Sequence, residues 1–118
     1  YIMNSLVTKL FDLEAMIRIL HWKTKVGWHH QSLDVIAEDV KKHIDRLVEY
    51  MIGDAGDISI SLNTNRNTSN VKLETLMKKL EEMEETIKNM DCEDVGYETI
   101  IGDILITVRK CKYLLRMK

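Results

Sequence analysis

The chain has 118 residues, the size of one ordinary domain, taken here as 1–118. It is 45% hydrophobic and 31% charged, with no proline and only 5 glycines, which excludes a sandwich or barrel of many short strands. Seventeen basic against nineteen acidic residues give a net charge of −2, so the chain is no general binder of polyanions, and DNA binding is expected to be weak or absent.

Four segments repeat apolar residues at alternating spacings of three and four, the period of an amphipathic helix. The first runs Leu6, Leu10, Leu13, Ile17, Leu20, and the second Leu33, Ile36, Val40, Ile44, Leu47, Met51. The third runs Leu73, Leu76, Leu80, Met83, Ile87, Met90, and the fourth Tyr97, Ile101, Ile104, Val108, Cys111, Leu115. These predict helices over 4–26, 29–52, 71–90 and 95–117. Gly27 is expected to close the first helix in the left-handed conformation. Gly53 and Gly56 are expected to end the second. Asp91, Glu93 and Asp94 suit the positive start of the fourth. Asn63–Asn70 reads as loop, and Ile58, Ile60 and Leu62 as a short strand or a single helical turn.

Short links after helices one and three imply antiparallel neighbours. The longer middle link implies a crossover between two hairpins. The expectation is all-α: a ferritin-like four-helix bundle with a long crossover between helices two and three. No apolar run reaches the ~18 residues of a membrane span, and no leader peptide is visible. Cys92 and Cys111 form no zinc or redox motif and fit reduced thiols, so a cytoplasmic location is expected. The chain opens at Tyr1 without Met, from which a processed or trimmed N-terminus is expected.

The chemistry gathers near the first two helices. His21, His29 and His30 fall close together, and His43 lies farther on. With His30 at zero, Asp34, Asp45 and Glu49 fall at roughly 40°, 60° and 100° around helix two. They share one sector, beside the core stripe, with Ala37, Lys41, Val48 and Ile52. Lys41 is expected to bridge to Glu38 or Asp45. His43 points away from this sector and reads as packing; His29 reads as half-exposed at the turn.

Height then separates the set. In an antiparallel hairpin His21 lies level with His30 and Asp34, so these three are expected to converge in one subunit. Asp45 is eleven residues past Asp34, roughly 16 Å along a rigid helix, and Glu49 is farther. A two-fold axis across helix two would join His21, His30 and Asp34 of one copy to Asp45 and Glu49 of its mate. Imidazoles with carboxylates suit Fe(II), Mn(II) or Zn(II). Trp22, beside His21, could donate an electron to an oxidising iron.

The run His21-Trp22-Lys23, then His30 and Asp34, then Asp45 and Glu49, then Gly53, resembles the mini-ferritins, the DNA-binding proteins from starved cells. The resemblance covers about residues 6–62. It implies a hollow dodecamer built from dimers, and oxidation of two Fe(II) per inter-subunit site by hydrogen peroxide or oxygen, for iron storage and oxidative protection. Its metal ligands map onto His21, His30, Asp34, Asp45 and Glu49, and its iron-proximal tryptophan onto Trp22. The first hairpin turn is three residues shorter than is usual there. The alternative is a non-enzymatic structural or assembly protein, virion-associated, on the same fold with a vestigial or structural metal site.

Two charged clusters remain. Glu81, Glu82, Glu84 and Glu85 read as a solvated face paired with Lys78, Lys79 and Lys88. Arg109, Lys110, Lys112, Arg116 and Lys118 place positive charge at a helix C-terminus, with no acid among them.

Overall fold

The computed structural model describes residues 2–62 and 66–117. Its four α-helices are α1 (Ile2–Lys23), α2 (Gly27–Ala55), α3 (Leu73–Lys88) and α4 (Val95–Arg116), with a 3-10 turn at Thr68–Asn70. Among the described residues there is no strand. The protein is therefore all-α, and the 3.6-residue apolar period is the cause. Every member of the first, second and fourth stripes is buried. In α3, Leu76, Leu80, Met83 and Ile87 are buried, whereas Leu73, in the first turn, is 39% exposed.

The helix ends show where local chemistry acts. α1 stops at Lys23, short of the expected 26, and only 24–26 separate it from α2. Gly27 does not close α1; it is the first residue of α2. Gly53 does not end α2 either, because a glycine in a helical conformation needs no break. Gly56 does: it takes φ 85°, and its N–H donates to the carbonyl of Ile52 at 2.7 Å. Asp94 caps α4 as the acidic run implied, accepting from the Tyr97 N–H at 3.0 Å. Ile58–Leu62 forms neither strand nor helical turn. Ile58 and Ile60 instead pack their side chains against the core as irregular backbone. Asn63–Asn65, part of the expected loop, and Lys118 of the basic cluster lie outside the described residues.

Each helix packs chiefly on two others: α1 on α2 and α3, and α4 on the same two. Polar ties fix the directions. Along α2 and α4, Tyr50 meets Asp94, Arg46 meets Asp103, His43 meets Thr107 and His29 meets Met117. Rising numbers on one helix meet falling numbers on the other, so the pair is antiparallel. Along α1 and α3, Asp12 meets Lys79, and Lys23 reaches the carbonyls of Thr68 and Val71 just before α3. That pair is antiparallel too. Arg66 belongs to the segment between α2 and α3, and it grips Asp12 through two hydrogen bonds of 2.7 Å. The Arg66 guanidinium holds the Asp12 carboxyl below its ordinary range, with Lys79 adding to it.

Candidate metal centre

The three-residue turn between α1 and α2 brings His21 and His30 face to face. Their rings stack with centroids 3.8 Å apart and an interplanar angle of 19°. His21 Nδ1 lies 2.5 Å from the carbonyl oxygen of His30, and His30 Nδ1 lies 2.6 Å from that of His21. A carbonyl oxygen only accepts, so both Nδ1 atoms carry hydrogen and donate. The His21 carbonyl lies in the last turn of α1, where helix carbonyls lack internal partners, and the His30 ring supplies one. With Nδ1 protonated, each neutral ring keeps its lone pair on Nε2, the form in which imidazole binds a metal.

The carboxylates are placed less closely. Asp34, one turn beyond His30, is exposed. Among the described residues no three His, Cys, Asp or Glu side chains stand together as a group able to hold a metal within one chain. His21 and His30 therefore converge as expected, and Asp34 does not complete a three-residue set with them. Both imidazoles are held by their Nδ1 bonds to carbonyls on either side of the α1–α2 turn, while the Asp34 side chain is exposed. α2 is unbroken from Gly27 to Ala55, so Asp45 and Glu49 stand roughly 16 Å or more along it from Asp34. Both are exposed and sit on the rim of a cleft of about 380 Å³ walled by Val7, Phe11, Val48, Ile58 and Ile60. Trp22 is 66% exposed beside the histidine pair.

Two expectations about this face need correction. Ala37 is 4% exposed and belongs to the chain's own core, because at 100° per residue it lies about 20° from the buried Ile44 around α2. Val48 is half-buried against that core, which leaves Ile52 and Lys41 as the exposed members. Among the described residues Lys41 makes no ion pair with Glu38 or Asp45. The other two histidines serve packing. His29 sits against Trp28, ring centroids 4.2 Å apart, with Nε2 3.3 Å from the Met117 carbonyl. His43 Nε2 stands 2.7 Å from Thr107 Oγ1 in the seam between α2 and α4. Burial there pushes the His43 imidazole below its usual pKa, against the opposing pull of Asp103 and Asp39.

Several polar features carried no signal in a one-dimensional reading. Glu84 turns away from the lysines of its own helix and accepts from Arg109 Nε at 2.8 Å and Lys112 Nζ at 2.7 Å. These bonds hold its carboxyl down at about 2. Lys79 goes to Asp12, and Lys88 stands 4.0 Å from Glu85. At the opposite end from the histidines, Tyr50 donates to Asp94 at 2.6 Å and packs edge-on against Tyr97, which donates to Asp54 at 3.3 Å. Cys111 is buried, which pushes its thiol up to about 12, and Cys92 is half-buried and also raised by burial.

Fold and site together define a class: a four-helix protein whose candidate ligands line the outer side of one helix hairpin. The chain belongs to a family of unknown function, DUF5856, whose model matches residues 21–115. No curated protein and no solved structure matches the chain. Among the described residues no helix is long and apolar enough to cross a membrane.

Proposed function

We propose that the chain is a ferritin-like bundle of the mini-ferritin type that binds and oxidises Fe(II) at a site shared between two copies. The observation that carries this reading is the reciprocal His21–His30 pair, whose Nδ1 atoms are both committed to carbonyls. Such hydrogen bonds orient a metal-binding imidazole and raise the basicity of its other nitrogen. The helix directions support the bundle. If α1 and α4 are each antiparallel to α2 and α3, then α2 and α3 run parallel, and their connection must cross the length of the bundle.

In the proposed dimer the exposed Asp34 side chain rotates to join His21 and His30 of its own copy around iron, and Asp45 and Glu49 of the mate complete or bridge a second position. The carboxylates offset the charge that grows as Fe(II) becomes Fe(III). Each iron gives up one electron, and hydrogen peroxide accepts two as its O–O bond breaks to water or hydroxide. Trp22, exposed beside the site, supplies an electron where an oxidant is left one short. Mn(II) and Zn(II) fit the same N/O donors. Ferric oxide absorbance should grow when Fe(II) and peroxide are added to the protein, and His30→Ala should lose that growth beyond the protein-free rate. Absence of growth above that rate with the wild-type chain would refute the proposal.

A second reading rests on the same pair. Both Nδ1 bonds close the α1–α2 turn onto itself, so the histidines could be a structural clasp in an assembly protein. A clasp predicts that His21 and His30 matter for stability and that metal leaves the chain unchanged.

A further inference from the structure

The outer side of α4 carries an apolar stripe that its own chain does not cover. Val95 is 77% exposed, Ile106 66%, Tyr113 63% and Met117 44%. At 100° per residue Val95, Ile106 and Tyr113 lie within about 20° of one another, opposite the buried stripe, and Met117 follows in extended backbone just past the helix end. Single exposed apolar residues are ordinary, but an aligned row on one helix is the pattern of a helix-to-helix contact. Gly102 lies on the same line, and a Cβ added there would meet nothing within 4 Å, so its smallness serves no packing inside the chain.

The flanks of the stripe identify the occupant. On one flank Glu98 comes early and Arg116 late, with Arg109 between them already bound to Glu84 of α3; on the other Asp103 comes early and Lys110 late. Among the described residues Glu98, Lys110 and Arg116 make no ion pair, and Asp103 is shared with Arg46. When two identical helices pack antiparallel, each flank faces the same flank of its mate, with early positions against late ones. An axis close to Ile106 lies about 12 Å from Glu98 and about 15 Å from Arg116, a mismatch within side-chain reach. The same axis lies about 5 Å from Asp103 and about 6 Å from Lys110. Both flanks then pair acid with base four times over, and Ile106 meets Ile106 of the mate. A parallel pairing would set like charges opposite one another on both flanks.

We propose that α4 is a self-recognition face on which a second copy of this chain docks antiparallel about a two-fold axis near Ile106. This face is separate from the side of α2 that carries the candidate ligands. It needs no metal, so it stands or falls independently of iron oxidation. With the α2 face it would give each chain two different self-contacts, which an assembly larger than a dimer requires.

Sedimentation equilibrium in chelator, across chain concentrations and at low and high salt, tests this. The wild-type chain should associate, and Ile106→Glu should weaken association at least about a hundredfold. Glu98→Lys should weaken it about tenfold and Arg116→Glu likewise, and the double reversal should restore it. All three positions are exposed, so helical circular dichroism should be unchanged. A monomeric wild-type chain, or association that Ile106→Glu leaves intact, would overturn the proposal. So would a double reversal no better than either single one, which would point instead to an acidic partner for the basic end of α4.

Discussion

His21 and His30 exchange hydrogen bonds, each ring donating through Nδ1 to the other's backbone carbonyl across a three-residue turn. One contact thus terminates α1, orients two imidazoles and fixes their tautomers. Replacing either with Ala should cost about 1 kcal/mol or less, because the bonds are solvent-accessible. Chemical denaturation at neutral pH measures it. A loss of several kcal/mol would mean that the pair is foremost a structural clasp.

Glu84 gives a pH dependence. Its carboxyl is held at about 2 by Lys112 and Arg109, against an ordinary 4.5. The folded state keeps this group ionised where the unfolded chain takes up a proton. The stabilisation is present above about pH 4.5 and lost as pH falls toward 2. Glu84→Gln should be less stable than wild type at pH 7, and the two should converge as pH falls to about 2. Thermal melts across that range check this; a constant difference would exclude the ion pairs as its source.

His43 acts in a different window. Burial lowers its pKa in the fold, so the unfolded chain binds a proton first as pH falls below the ordinary 6.5. Stability supplied by the neutral ring is present above that pH and declines on acidification below it. Thr107→Val keeps the shape of the seam but removes the oxygen that His43 faces, and should cost about 1–3 kcal/mol. His43→Gln should remove the slope between pH 7 and 5. An unaltered slope would assign it to other groups.

Gly96 has a packing reason that can be tested by one methyl. A Cβ there would overlap the Tyr50 hydroxyl and ring carbons. Gly96→Ala should displace Tyr50 and break its bond to Asp94, although Ala is the better helix former. The variant should melt below Tyr50→Phe, which loses only the hydroxyl. A Gly96→Ala protein more stable than wild type would show that Tyr50 swings aside without cost.

The helices were legible because their apolar stripes are unbroken: Leu33 to Met51 in α2 reads as one buried face and is one. Their ends were less so. Gly27 and Gly53 read as stops, yet glycine permits a break without requiring it, and among the described residues only Gly56 takes a positive φ. Ala37 reads as part of the open face by angle alone, because a small apolar residue suits core and interface alike. The convergence of His21 with His30 followed from hairpin geometry. Their mutual capping did not, since it depends on ring orientation in the turn. The partners of Glu84 were hidden for a related reason: Arg109 and Lys112 are distant in sequence, and nothing but helix packing selects them over Lys88.

The shared-site proposal is tested most directly by complementation. His30→Ala and Asp45→Ala chains should each be inactive in Fe(II) oxidation with peroxide. A heterodimer of the two keeps one site with both halves intact, while the other loses both. Equal mixing should therefore restore about a quarter of the wild-type rate per chain. Heterodimers proven by mass that remain as inactive as their parents would contradict a site shared between copies.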